Sequence, residues 1–150
     1  MFRSAQETDL ERAIYRGVEN ETIRSASDLN GLAQTTFARY DPSAREDPSV
    51  ALYWAHNRLF YTDPLYDVNY LFAGLLAMRY FSDFQRDPQV FARRYVALLK
   101  NGFNDSPAHL EKRFLGIDPT NEAVLVAGAS ALIDARTQTL AGYYKHTLSP

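Results

Sequence analysis

Cysteine is absent from the 150 residues. Its absence removes disulfides, thiolate metal ligands and a cysteine nucleophile together, and it fits a reducing compartment. Histidine is scarce: His56, His109 and His146 are the only three, and no two lie within a helical turn of each other. The helical His-x-x-x-His pair that can hold zinc therefore does not exist in this chain, and no metal site or cofactor is expected within it. The glycines form no phosphate-cradling loop and no Gly-x-Ser-x-Gly elbow, and no serine has a base beside it in sequence. Gly31 and Gly128 stand alone inside helical patterns and read as close packing or mild breaks. Basic residues form no stripe and the formal net charge is −2, which leaves nucleic acid without an electrostatic footprint. Long apolar runs are missing too. The longest, Tyr70 to Met78, contains Gly74 and falls well short of the roughly 20 residues a membrane-spanning helix requires. The opening Met1-Phe2-Arg3-Ser4-Ala5-Gln6-Glu7 turns polar at once and does not read as a signal peptide, so a cytoplasmic location is expected.

What the chain does have is a globular balance, 46% hydrophobic and 23% charged, in a length sufficient for one domain over residues 1–150. Ten tyrosines and nine phenylalanines make the expected core aromatic. Tyrosine hydroxyls need partners when buried, so that richness serves either architecture or a polar pocket wall.

The periodicity predicts an all-α fold of about six helices, with no alternating Val/Ile-rich strand anywhere. Leu10, Ile14 and Val18 recur at helical spacing in a first helix over 3–19, which has no cap ahead of Phe2. The sequence is thus expected to begin inside a helix, a hint of truncation. Ser27 is the expected cap of a second helix carrying Leu29, Leu32, Ala33, Phe37 and Tyr40, closed by Asp41-Pro42. Asp47-Pro48 opens a third with Val50, Ala51, Trp54 and Ala55 inward, since proline is tolerated at the first helical position. Asp63-Pro64 repeats the signal and opens the longest candidate, 64–86. Its middle is apolar all round and is expected to form the central helix with neighbours on every side. Asp87-Pro88 starts a fifth helix with Phe91, Tyr95, Leu98 and Leu99, stopped by Asn101-Gly102. Ser106-Pro107 starts a short sixth ending at Gly116, after which Ile117 is the hydrophobic residue that follows a left-handed cap. Asp118-Pro119 opens the last stretch, with Leu125, Ala129, Leu132 and Leu140 at helical spacing. The carboxylates Glu7, Asp9, Glu11, Asp118, Glu122 and Asp134 read as caps and solvent faces, with Glu7, Asp9 and Glu11 opposite the apolar stripe of the first helix. On chemistry alone no reaction is named.

Two stretches carry a resemblance. Phe60-Tyr61-Thr62-Asp63-Pro64-Leu65-Tyr66-Asp67-Val68-Asn69-Tyr70 through Ala77 is similar to the tyrosine-rich segment of the oligoendopeptidase F and thimet oligopeptidase family of zinc metallopeptidases. Tyr95 through Phe103, followed by Arg113-Phe114-Leu115-Gly116-Ile117-Asp118, resembles that family's closing pattern. Phe2-Arg3 through Tyr15 is similar to the helix after its metal-binding region, so the resemblance covers nearly the whole chain.

The resemblance implies that Tyr66 and Tyr70 face a substrate carbonyl and steady the oxyanion, as donors of transition-state stabilisation. Asn69 would lie less directly on that face as a substrate-binding residue. The family places a histidine near the position of Leu59; His56, three residues earlier, is the nearest candidate here for substrate contact. The family's zinc is held by His-Glu-x-x-His and a downstream Glu, all upstream of the matched region and all missing from this chain, which is therefore expected to be inactive alone. The expected partners are that zinc-binding half, in cis or in trans, and short peptides. The other reading is a stand-alone, non-catalytic helical module that binds a peptide or protein, or a second copy of itself as a homodimer, with its apolar faces recovered by charge or by the dimer.

Overall fold

An aspartate or serine followed by proline is the chain's dominant punctuation, and it works as helix caps should. In the computed structural model, which describes residues 2–147, the Asp47 carboxylate accepts from the Ser49 amide and Asp87 from Val90, each with a proline opening the turn behind it. Ser106 does the same for His109, and Asp41 for Ser43. Proline gives up no hydrogen bond in that first turn, because its amide would be an orphan there anyway.

The helices are α1 (Phe2–Glu19), α2 (Ala26–Ala38), α3 (Pro48–Ala51), α4 (Tyr53–His56), α5 (Leu59–Thr62), α6 (Asp67–Arg86), α7 (Pro88–Asn101), α8 (Pro107–Leu110) and α9 (Glu122–Thr147). A 3₁₀ turn at Pro42–Arg45 and a π-helical turn at Glu111–Leu115 complete the set, and no strand occurs among the described residues. The fold is all-α. None of the described helices is long and apolar enough to cross a membrane.

The boundaries differ from expectation for local reasons. Ser25, not Ser27, caps α2, in a reciprocal box where Asp28 accepts the Ser25 amide and Ser25 accepts that of Asp28. Asp41-Pro42 begins a 3₁₀ turn rather than simply ending α2. The third helix breaks at Leu52 into two four-residue pieces. The Asp63-Pro64 signal opens a turn instead of a helix: Leu65 takes φ 62°, which a helix cannot continue through, and α6 begins only at Asp67. Asp118 likewise folds back on the Thr120 amide, and α9 waits until Glu122. The sixth segment ends as anticipated, with Gly116 left-handed at φ 71° and Ile117 fully buried behind it.

The chain divides into two compact units, residues 1–73 and 74–150. In the first, Leu10, Ala33, Phe37, Ala44 and Phe60 form the core, joined by Ile14, Leu32, Val50, Tyr53 and Trp54. Phe37 and Tyr53 pack ring on ring at 4.9 Å. Each large side chain sealed there contributes roughly 1.5–3 kcal/mol. In the second, Leu110, Leu115, Ile117, Leu125 and Ala129 are buried, beside a cluster of rings from Tyr80, Phe84, Phe91 and Tyr95. Gly128 lets α9 approach α6 closely: a Cβ there would stand 2.7 Å from the Arg79 Cα. Gly31, by contrast, meets nothing within 4 Å.

Burial corrects one expectation. The middle of α6 is apolar all round, yet among its described residues only Asp67 is fully buried, and Tyr70, Phe72, Phe81 and Phe84 are exposed. An apolar perimeter shows what a helix could bury; whether it is covered depends on neighbours that local sequence does not specify. The spacing read for the last helix holds, and along α9 burial changes: Leu125 and Ala129 are buried, whereas Ile133, Leu140, Tyr143 and Tyr144 are exposed.

Candidate functional site

The turn that delays α6 also places the tyrosine pair. Glu11, on α1, is only 2% exposed, and its Oε1 accepts both the Leu65 amide at 2.7 Å and the Tyr15 hydroxyl at 2.9 Å. Burial, followed by that bond to Glu11, pushes the Tyr15 phenol up to about 12, so it remains a donor. The clamp holds Leu65 in its left-handed conformation, and the next residue, Tyr66, closes the turn by donating its amide to the Asp63 carbonyl. Tyr66 therefore sits just ahead of α6 rather than on it.

The rings of Tyr66 and Tyr70 still meet, edge to face, at 5.4 Å. Both are open to solvent, 43% and 54% exposed. The neighbouring Tyr66 phenol is the chief reason that the Tyr70 hydroxyl is held above the ordinary tyrosine range, with burial second and Arg58 opposing. A phenol shifted upward stays protonated at neutral pH, so it offers a hydrogen to an acceptor. Asn69 is exposed and its backbone amide bonds to the Tyr66 carbonyl. His56 is exposed at the end of α4, and among the described residues no hydrogen bond or ring contact joins it to the tyrosine pair.

Behind the pair lies an acidic cluster that the solvent-face reading of α1 misplaced. Glu7 takes the Tyr53 hydroxyl and, at 3.0 Å, the Arg3 guanidinium, while Arg3 also donates to Tyr53. Asp67, 2% exposed, accepts from Asn57 Nδ2 at 2.9 Å. Burial raises the Asp67 carboxyl above the usual range; Asn57 opposes this, and the charges of Glu7 and Glu11 add to it. The signal was in the sequence: Glu7, Leu10, Glu11 and Ile14 follow i, i+3, i+4, i+7 and so share one stripe. Asp9, Arg12 and Arg16 are the residues opposite it. Asp9 is paired with Arg39 at 2.8 Å.

The donor set does not fit the zinc that the resemblance implies. Among the described residues no three His, Cys, Asp or Glu side chains come together where an ion could be held, so no residue of this chain is assigned to one. The side chain of His146 lies outside the described residues.

Against the same face of α1 is a cavity of about 500 Å³, walled by Ile14, Val18, Leu29, Trp54, Phe60 and Tyr61. The polar tips of its walls are already occupied: Trp54 Nε1 donates to Asn30 at 2.8 Å, and the Tyr61 hydroxyl to the Trp54 carbonyl at 3.0 Å. What faces inward is ring and aliphatic carbon, with Glu11 and Glu19 as the charged lining residues. No single segment of the sequence announces this cavity, because its walls come from α1, α2, α4 and α5. No known family model matches the chain, and no curated protein or solved structure is detectably similar to it.

Proposed function

We propose that the chain is the C-terminal helical segment of an oligoendopeptidase F-like zinc metallopeptidase that hydrolyses short peptides. In this reading it supplies cleft wall and two phenol donors, while the zinc and its general base come from a half that this sequence does not contain. The observation that carries the proposal is the Tyr66–Tyr70 pair, ring against ring and exposed, on a turn clamped by a buried carboxylate. A protonated hydroxyl aimed at a developing oxyanion stabilises charge that exists only in the transition state. One such donor contributes roughly 3 kcal/mol, or about 10²–10³ in kcat. The exposed apolar residues of α6 and α9 support the same reading, since such faces are ordinarily covered in a larger assembly.

The native product's intact mass in its source cells is the first test. A product much larger than 17.1 kDa that contains a His-Glu-x-x-His motif is expected. In that product Tyr66→Phe and Tyr70→Phe should each lower kcat on short peptides by about 10²–10³, with KM little changed. A product of 17.1 kDa only, or variants with unchanged kcat, would overturn the proposal.

A second reading rests on the 500 Å³ cavity, whose size and apolar walls suit a peptide side chain without any catalysis. It describes a stand-alone peptide- or protein-binding module that forms a homodimer where its apolar faces require it. Peptide binding by the 17.1 kDa chain alone, quenching Trp54 on the cavity wall, would favour it.

A further inference from the structure

The unit over residues 1–73 carries a second depression, independent of the tyrosine pair and on the side of α1 opposite its buried carboxylates. It has a volume of about 350 Å³ and is lined by Arg12, Arg16 and Arg39, together with Asp9, Asn20 and Thr22. Ala13 and Gly17 are its apolar lining, so no large apolar side chain walls it. A tight turn closes one side. The Gly17 carbonyl accepts the Thr22 and Ile23 amides at 2.8 and 3.1 Å and the Thr22 hydroxyl at 3.2 Å. The Ile23 side chain fills the space that a Cβ on Gly17 would need. The Arg16 and Val18 carbonyls take the Asn20 and Glu21 amides, so these last carbonyls of α1 are engaged rather than bare.

Charge is unevenly shared here. The depression gathers three arginines against one carboxylate, in a chain whose net charge is −2. That carboxylate is committed: Arg39 pairs with Asp9 at 2.8 Å, and the Tyr40 hydroxyl donates to it at 3.2 Å. Arg12 and Arg16 are exposed and have no ion pair or hydrogen bond from their guanidinium groups among the described residues. They stand four residues apart on α1, where two like charges repel unless something negative lies near both. The Asn20 side-chain amide is uncommitted as well. The fold therefore brings an excess of cationic donors to one concave spot and supplies no acceptor for them.

We propose that this depression binds the phosphate monoester of a small, hydroxyl-bearing molecule. A guanidinium offers a planar fork of N–H donors that fits phosphate oxygens, and a phosphate monoester carries three such oxygens and about two negative charges. That charge matches the two guanidinium groups the fold leaves unpaired. A carboxylate, with one charge and two oxygens, answers only one of them. Asn20 and Thr22, with no large apolar wall beside them, suit hydroxyl groups rather than a ring or an alkyl chain. The volume of about 350 Å³ lies at the small end of ligand sites, in keeping with a phosphate and a few carbons.

The test is a titration of the ¹⁵N-labelled full chain with glycerol 3-phosphate at fixed ionic strength, read from backbone amide and arginine Nε–H signals. Inorganic phosphate, sodium acetate and glycerol are the comparison probes. Glycerol 3-phosphate should give saturable shifts at the Arg12 and Arg16 Nε–H groups and at the Gly17, Asn20 and Thr22 amides. It should bind about ten-fold tighter than acetate, with inorganic phosphate between them and glycerol silent. Arg12→Gln and Arg16→Gln should each weaken the ester by about ten-fold. Arg16→Lys, which keeps the charge and loses the fork, should fall between parent and Arg16→Gln. Both arginines are exposed and unpaired among the described residues, so the variants should keep the parent's urea midpoint. Acetate or inorganic phosphate binding as tightly as the ester, shifts spread evenly over the exposed arginines, or unchanged affinity in the glutamine variants would overturn the proposal.

Discussion

Removing the Glu11 carboxylate tests whether one buried acid fixes the turn on which the tyrosine pair stands. In Glu11→Ala the Leu65 amide and the Tyr15 hydroxyl lose an ionised acceptor at 2.7 and 2.9 Å. A hydrogen bond to a charged group contributes about 1.5–3 kcal/mol when enclosed. Here Leu65 is 47% and Tyr15 39% exposed, so water replaces part of each bond and the pair together is expected to contribute about 2 kcal/mol. Leu65 at φ 62° adds a second, opposing quantity, because a left-handed side-chain-bearing residue costs about 1–2 kcal/mol that the clamp must overcome. Leu65→Gly should therefore leave stability unchanged or raise it by up to about 1 kcal/mol, and the cost of Glu11→Ala should be smaller by at least about 0.5 kcal/mol in that background. The single tryptophan, Trp54, lies in the same unit, so urea unfolding followed by its fluorescence reads this part of the chain. With a slope near 1 kcal/mol/M for a small unit, Glu11→Ala should move the midpoint down by about 2 M. A shift below about 0.5 M, or strict additivity with Leu65→Gly, would refute the clamp.

Asp67 predicts a pH dependence. Its carboxyl is raised by burial, so its contribution to stability is fully present below the ordinary carboxylate range and is lost as pH rises through the raised value. Asp67→Asn, which keeps an acceptor for Asn57, should thus stabilise the 1–73 unit at pH 7 relative to the parent and lose that advantage near pH 3, as Trp54-monitored melts at the two pH values will show. Gly128→Ala places a methyl 2.7 Å from the Arg79 Cα, backbone that cannot rotate away. It should destabilise the 74–150 unit by roughly 1–3 kcal/mol despite alanine's better helix propensity, whereas Gly31→Ala, facing open space, should be neutral or stabilising by thermal melting.

Much of the fold could be read locally because its signals are local. An Asp or Ser ahead of proline satisfies an orphan amide within three residues, and such caps recur at Asp47, Asp87 and Ser106. The same signal failed at Asp63-Pro64, where the deciding contact comes from Glu11, 54 residues away from Leu65. Local chemistry proposes a helix start there, and a distant carboxylate selects a left-handed turn instead. The apolar perimeter of α6 misled for a related reason. Sequence gives the affinity of a surface for burial, while coverage is a tertiary property that no periodicity reports.

The candidate site divides along the same line. The tyrosines were legible as a spacing of four, and they do meet, although one of them stands ahead of the helix rather than on it. The carboxylates behind them were misjudged because charge was taken to imply a solvent face. Helical spacing puts Glu7 and Glu11 on the stripe of Leu10 and Ile14, and a charged residue on a buried stripe implies a partner to satisfy it. For Glu7 the partners are Arg3 and Tyr53; for Glu11, Tyr15 and the Leu65 amide. That rule also separates two of the chain's acids. Glu11 has donors of its own and is therefore explained by the fold, whereas for Glu111 the Tyr80 hydroxyl reaches Oε1 and Oε2 meets no donor among the described residues.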